Sequence, residues 1–480
     1  MKDSTLSKEI PPILQALMEL IEAHRAAFRQ ERTYRRGVGL VFGELFSFAR
    51  HTVTQSLLAL GLTDGDWSAW YRLFSRERFD EEKLSACLLQ ESLEHVGVDE
   101  PYCAAIDGTS IHRSSLKMPG TSWLRDARFS AFRPGIHRAQ RFLHGAWLTP
   151  LEEGYSRAIP LRFLLAFPPK AIPAGVPARR EWEAGSVFIH WLRQGLDGAG
   201  RAAQQLLVLA DGGFDVLDLW RELPERVTLV TRTARNRCLY YLPKPDSEPG
   251  PGRPPSYGER APHPADWLHA GLRNWPTQSV AVRGKRIQMR YQLLGPFVRE
   301  GLPERPLFLI VVKGRHRLVG KKKLRYKHRG PSFYLVSAVQ TCAGDWQLPL
   351  PVASLLTWVW VKNNVGTNAP RSSLSNGAPG PTRFCSWQLI APGGCVVDLL
   401  PRLAGGQELN AGLSPPSGAL TARISGTNMN FDPFGPQPLT TGGKKKPCSL
   451  LGTMPPSQLL ESKAGDTLFC ASRFSFYLLL

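Results

Sequence analysis

Two apolar segments that each end in Asp-Gly constrain the fold of this chain most strongly. Residues 103–108 read Cys-Ala-Ala-Ile-Asp-Gly, and residues 206–213 read Leu-Leu-Val-Leu-Ala-Asp-Gly-Gly. A short apolar run closed by a turn signal is typical of a buried strand, and an acid at its end lies where strands pass into functional loops. The segments predict two buried strands, each followed by a turn at glycine.

The two acids, Asp107 and Asp211, are the candidate catalytic and metal-binding residues. If the strands are neighbours, the carboxylates lie close together and repel each other unless a cation lies between them. Carboxylate oxygens are the ligands that Mg²⁺ prefers, and Mn²⁺ accepts them as well. The pattern therefore predicts a Mg²⁺ or Mn²⁺ site. The alternative is that each Asp only begins a turn or caps a helix.

Charge indicates the class of partner. Sixty Lys and Arg against forty Asp and Glu give a net charge of +20 and a pI near 9.9, which suits a phosphate polymer or an anionic surface. The 480 residues exceed what one core usually supports, so we expect two or three domains. The eight cysteines show no Cys-x-x-Cys pair and are expected to be reduced thiols. Since no apolar segment is long enough to span a bilayer or to act as a signal peptide, we expect a soluble cytoplasmic protein.

The N-terminal region is predicted to be helical. Apolar residues recur at helical spacing over residues 8–30, and residues 45–61 and 66–76 indicate further short helices. Helices rich in Arg and Thr can contact DNA. The DNA-binding candidates in this region are Arg50, Thr52, Thr54 and Arg72. The alternative is a helical region that packs its own aromatic side chains beneath a solvated basic face.

Strands and helices then alternate, as in a mixed α/β core. Strands are predicted at 140–148, 159–165, 227–232, 307–312 and 333–339, and helices at 179–197, 217–223 and 348–360. Residues 243–277, rich in Pro and Gly, indicate an insertion. Basic residues recur between the strands, which favours a nucleic-acid groove over a merely solvated face. The candidates there are Arg113, Lys117, Arg232, Arg235, Arg237, Lys313 and Arg315.

The segments in order resemble a DDE transposase of bacterial insertion sequences. The resemblance covers about residues 45–360. It rests on Arg50–Gln55, Trp67–Ser75, Ile106-Asp107-Gly108-Thr109, Pro119–Asp126, Gln140-Arg141-Phe142, Ala210–Phe214, Leu223–Arg226, Arg232–Tyr241 and Leu348-Pro349-Leu350-Pro351. The resemblance implies an RNase-H-like fold flanked by helices, DNA as substrate and two-metal phosphoryl transfer. It also implies that Asp107 and Asp211 are the first two acids of the triad.

The third acid departs from the family's pattern. The resemblance implies a Glu on the helix after Pro351, yet the first acid after Trp360 is Asp398 and the first Glu after Trp360 is Glu408. Residues 361–480 hold 15 charged residues, against 85 in the first 360, and 28 of the 120 are Gly or Pro. This composition predicts a poorly ordered tail. A shifted reading frame is one explanation, because codons allowed for residues 364–372 can encode Thr-Trp-Glu-Leu-Thr-His-Arg-Glu one base away.

The sequence therefore predicts a transposase that is unable to transpose as written. Its regions are a helical, DNA-binding 1–98, an RNase-H-like core at 99–360 and an atypical tail at 361–480. Its partners are double-stranded DNA at transposon ends and target, and a second copy in a homodimeric synaptic complex. The alternatives are a DNA-binding remnant without chemistry, and a hydrolase of another class, such as a glycosidase with paired carboxylates.

Overall fold

The computed structural model describes the chain in segments separated by short gaps. The described residues are 11–48, 52–74, 78–113, 118, 120–126, 135–152, 156–167, 179–243, 255–271, 274–282, 285–319, 325–328, 330–341, 344–365, 389–390 and 396–397. Residues 361–480, for which poor order is predicted, therefore lie almost wholly outside the described residues. So do residues 244–254 of the predicted insertion.

Five α-helices of the described chain precede the sheet. They are α1 (Pro12–Ala23), α2 (Glu31–Phe46), α3 (Val53–Ala59), α4 (Ser68–Tyr71) and α5 (Glu81–Glu94). Thr52 and Asp80 cap α3 and α5 by accepting backbone N–H groups of the first turn. These helices share a core of aromatic and aliphatic side chains, including Phe28, Tyr34 and Leu57. The N-terminal region therefore packs its own aromatics, as one of the two alternatives expected.

A mixed sheet forms the centre of the molecule. Its first strands are β1 (Tyr102–His112), β2 (Thr121–Asp126), β3 (Gly135–Leu148), β4 (Ala158–Ala166), β5 (Leu206–Ala210) and β6 (Val227–Arg232). The order β4-β3-β1-β5-β6 combines antiparallel β4, β3 and β1 with parallel β1, β5 and β6. This is the strand arrangement of an RNase-H-like core, so the predicted fold class is confirmed.

Later strands extend this sheet beyond β6. They are β7 (Tyr240–Tyr241), β8 (Thr277–Val282), β9 (Lys285–Arg299), β10 (Leu302–Val312), β11 (Arg315–Val319), β12 (Arg325–His328) and β13 (Ser332–Ser337). Thirteen strands of the described chain thus join one sheet. Two small ladders lie apart from it: β14 (Val339–Gln340) with β15 (Trp346–Gln347), and β16 (Leu389–Ile390) with β17 (Val396–Val397).

Helices cover both faces of the sheet. On one face, α6 (Glu181–Gly198) and α7 (Leu217–Arg221) pack through Phe188 and Trp220 against Ile106 and Leu143. On the other face, α8 (Val352–Val365) packs through Leu355 and Val359 against Cys103 and Leu209. Because side chains alternate along a strand, even- and odd-numbered residues of β1 serve different cores.

Two expectations about local structure need correction. The chain does not turn at Gly108, because β1 continues to His112. No strand was predicted between residues 277 and 299, where Arg283, Lys285, Arg286 and Arg290 indicated a basic run, but the structure has β8 and the long strand β9 there. No helix in the described part of the chain is long and apolar enough to cross a membrane.

Candidate active site

The structure brings Asp107 and Asp211 together. The parallel pairing of β1 with β5 aligns Ala105 with Leu209. Two residues further along, the same register sets Asp107 beside Asp211, and neighbouring strands are about 5 Å apart. Both side chains are exposed. The pair is therefore accessible to a ligand from solvent.

Asp211 also has a local structural role. Its Oδ1 accepts the backbone N–H of Gly213 at 2.8 Å and caps the 3₁₀ turn Gly212–Phe214. The capping role that the sequence left open is thus present. It uses one of the two carboxylate oxygens, so it is compatible with a second role as a ligand.

The surroundings of Asp107 raise its pKa above the usual value. The largest cause is the displacement of water by neighbouring protein atoms, and the negative charge of Asp211 adds to it. The positive charge of Lys362 and the backbone N–H of Gly108 act in the opposite direction. The two carboxylates therefore interact with each other and with a lysine from another element.

That lysine belongs to α8, which lies against β5 and β8. Lys362 is half-buried. Burial lowers its pKa, while the charges of Asp107 and Asp211 raise it. The sequence of α8, VASLLTWVWVKNNV, contains no Asp or Glu. The helix on which the resemblance implies the third acid thus carries a cation toward the acid pair.

A third carboxylate approaches from the opposite face of the sheet. Glu181 is the first residue of α6, and its Oε2 accepts a hydrogen bond from Nη1 of Arg141 at 3.2 Å. Burial raises the pKa of Glu181, Arg141 opposes this, and the charges of Asp211 and Asp107 raise it further. The three acids therefore share one electrostatic environment.

Gly108 is what permits this approach. A Cβ built on Gly108 would lie 1.5 Å from Oε1 of Glu181, far inside van der Waals contact. The glycine of the first Asp-Gly segment is therefore required for close packing of a carboxylate over the strand, not for a turn.

His144 lies directly across from Asp107 in the antiparallel pairing of β3 with β1. Its ring stacks on Phe163, with centroids 4.4 Å apart. Burial lowers the pKa of His144 to about 4, so the ring is neutral at pH 7. Its Nε2 is buried and has no hydrogen-bond partner in the described structure.

A comparison with known protein families shows which family the chain belongs to. A family model described as "DDE superfamily endonuclease" matches residues 23–293, more than half of the 480 residues. The chain belongs to the DDE superfamily of endonucleases. The resemblance to a DDE transposase domain is thus confirmed, and a glycosidase is not supported. No curated protein sequence matches the chain.

The matched region of this DDE endonuclease contains Asp107, Asp211 and Glu181 but ends before α8. The family implies DNA as substrate in general, and endonucleases of this superfamily generally use divalent metal ions. The acid pair offers suitable oxygen ligands. However, no three His, Cys, Asp or Glu side chains of the described chain are grouped closely enough to hold a metal ion. The described residues therefore do not complete a metal site.

The N-terminal DNA-binding candidates of the DDE endonuclease have different environments. Arg50 lies outside the described residues. Thr52 is exposed, but its hydroxyl caps α3. The hydroxyl of Thr54 is hydrogen-bonded to Tyr71. Arg72 is exposed and donates to Ser68 at 2.9 Å.

Several candidates within the core lie at or just beyond the ends of strands. Arg113 donates through Nε to Gln140 Oε1 at 2.9 Å, and Lys117 lies outside the described residues. Arg232, exposed at the end of β6, lines a cavity of about 370 Å³ next to α8. Arg235 is exposed.

Two of the remaining candidates, Arg237 and Lys313, contact other side chains of the protein. Arg237 forms an ion pair with the fully buried Asp215. The Nζ atom of Lys313 lies 4.1 Å from the ring centroid of Trp275. Arg315 begins β11, and only its backbone is described.

Sequence reasoning missed Glu181, Lys362 and His144. Glu181 follows a predicted helix start, where an acid is ordinary because it complements the helix dipole. Lys362 is a single basic residue at the end of an apolar helix. The only usable signal was at Gly108, because a glycine inside a strand often marks close approach by another group.

Proposed function

We propose that this DDE endonuclease is a transposase by descent, which binds double-stranded DNA at insertion-sequence ends and is defective in DNA cleavage as written. The observation that supports the defect is Lys362, on the helix where the family resemblance implies a Glu. Residues 1–98 are the proposed DNA-binding region, 99–360 the catalytic core and 361–480 the atypical tail.

The physical argument concerns charge at the acid pair. Two ionised carboxylates together carry a charge of −2, which favours a divalent cation between them. An ammonium group nearby reduces the net charge to −1 and repels an incoming dication. A carboxylate in the same position would have the opposite effect. Lys362 therefore lowers the affinity for Mg²⁺ or Mn²⁺ that Asp107 and Asp211 would otherwise have.

DNA binding has separate support. The net charge of +20 and the exposed side chains of Arg72, Arg232 and Arg235 suit contacts to phosphates, which give affinity without sequence preference. We further propose that two copies act together on paired DNA ends.

The test combines a binding assay with a cleavage assay on the full-length protein. Fluorescence anisotropy with a labelled duplex should show binding that weakens steeply with salt. Supercoiled plasmid incubated with Mg²⁺ or Mn²⁺ should remain uncut. Asp107→Asn and Asp211→Asn should bind DNA like the wild type. Metal-dependent nicking by the wild type that either variant abolishes would refute the proposed defect.

A second candidate is an active enzyme in which Glu181 replaces the missing third acid. The packing of the Glu181 carboxylate against Gly108, next to Asp107, favours it, and its electrostatic coupling to Asp107 and Asp211 is consistent with this. If the wild type nicks DNA, Glu181→Gln should abolish nicking. The matched control is Glu183→Gln, two residues along the same helix, where the carboxylate accepts the N–H of Arg180. Equal losses in both variants would indicate a helix effect and would count against this candidate.

A further inference from the structure

A two-stranded edge of the sheet exposes large apolar side chains. Trp123 on β2 is 65% exposed and Ile136 on β3 is 66% exposed. The register pairs Trp123 with Arg138 and Arg125 with Ile136, so these four side chains lie on one face of the two strands. We call this set the hairpin surface.

The hairpin surface is on the same face of the sheet as Asp107. On β3, Ile136 and Arg138 are separated by even numbers of residues from His144, which pairs with Asp107. Side chains separated by an even number of residues point to the same face. The six residues from His144 to Arg138 span about 20 Å along the strand, or about six steps of a DNA strand.

We propose that the hairpin surface binds an unstacked stretch of the DNA strand next to the cleavage position. This rests on the proposed function, since it concerns the same DNA. Indole rings stack on bases regardless of sequence, and aliphatic side chains act as wedges between bases. Arginines flank both apolar side chains and complement the phosphates.

The surface chemistry favours DNA over a protein partner. Stable protein interfaces bury about 800 Å² on each partner, and two apolar side chains supply much less. Each apolar side chain is paired across the strands with a cation, and protein-interface centres are depleted of charge. β2 is also the last strand of the sheet order, so it is accessible to an extended polymer.

The experiment uses the full-length protein and two DNA probes: a blunt duplex, and the same duplex with a single-stranded tail carrying 2-aminopurine. Trp123→Ala should weaken binding of the tailed probe about tenfold and that of the blunt duplex less than about twofold. The 2-aminopurine fluorescence, quenched in the wild-type complex by stacking, should recover in the variant. Trp123→Phe should retain most of the affinity.

Val98→Ala is the matched control for Ile136→Ala, because Val98 is also exposed, at 57%, and lies outside β2 and β3. Ile136→Ala should weaken binding of the tailed probe, and Val98→Ala should not. Unchanged binding of both probes by the Trp123 variant would overturn the inference while leaving the proposed function intact. A change only in oligomeric mass would overturn it in favour of a protein contact. Absence of any DNA binding by the wild type would overturn the proposed function itself.

Discussion

Asp215 is the buried carboxylate whose removal should destabilise the protein most clearly. Its side chain is 0% exposed and accepts hydrogen bonds from four donors. These are Arg299 Nη1 at 2.7 Å, Thr233 Oγ1 at 2.7 Å, Trp220 Nε1 at 3.1 Å and Arg237 Nη2. The network joins the turn that carries Asp211 to β9 and to the chain after β6.

The expected cost follows from the loss of charge. Asp215→Asn keeps the shape of the side chain but leaves the Arg299 guanidinium, 7% exposed, without a buried counter-charge. The new amide group also points N–H donors at existing donors, so two of the four hydrogen bonds lose their acceptor. Breaking a buried ion pair from one side costs about 3–5 kcal/mol, and two charge-assisted bonds at about 1.5–3 kcal/mol each give a similar figure.

Urea unfolding followed by circular dichroism measures this cost. Asp218→Asn is the matched control, because Asp218 pairs with Arg221 at 3.0 Å while both side chains are about half exposed. Screening by water limits that pair to about 1 kcal/mol or less. If Asp215→Asn lowered the free energy of unfolding no more than Asp218→Asn does, the reasoning about the buried network would be wrong.

Three further outcomes are expected. Gly145→Ala should lower the free energy of unfolding in urea by about 1–3 kcal/mol, because a Cβ there would lie 2.3 Å from the Phe188 ring. Gly198→Ala should not lower it, because there is open space around Gly198. Equal effects of the two substitutions would count against the packing argument. The pKa of His144 is about 4 in the folded protein and about 6.5 in the unfolded chain. As the pH falls, the imidazole is therefore protonated first in the unfolded chain. The contribution of His144 to the free energy of unfolding should be complete above pH 6.5 and should fall by about 3 kcal/mol as the pH falls to 4. The His144→Asn variant should lose less free energy of unfolding over that pH range, and identical pH profiles of the two proteins would contradict this. Sequencing the DNA across codons 355–385 should reveal a neighbouring frame that encodes a Glu-bearing helix, and its absence in all frames would exclude a frameshift there.

Local patterns in the sequence predicted the elements that carry the acid pair. The apolar runs before Asp107 and Asp211 form β1 and β5, and the helices predicted at 179–197 and 348–360 match α6 and α8 within a few residues. β9 was missed although its sequence alternates: Ile287 and Met289 are buried, and Arg286 and Arg290 are exposed. The period of two is present there, but the dense positive charge of the segment is also typical of a solvated loop.

Side chains that meet through long-range contacts could not be predicted in this way. Glu181 influences the acid pair electrostatically because α6 packs over Gly108. Lys362 does so because α8 packs on β5. Asp215 meets Arg299 across 84 residues of sequence. None of these contacts leaves a local pattern, since each depends on how distant elements pack.

The affinity of the acid pair for Mn²⁺ tests the central claim most directly. Isothermal titration calorimetry should show weak binding by the wild-type protein and binding about tenfold tighter or more by Lys362→Glu, which replaces a repelling cation with a third carboxylate. Lys362→Met should fall between the two. The matched control, Lys83→Glu, makes the same change in charge at an exposed residue of α5 and should leave the affinity unchanged. Tight Mn²⁺ binding by the wild type, unaltered in Lys362→Glu, would contradict the proposal that Lys362 disables the site.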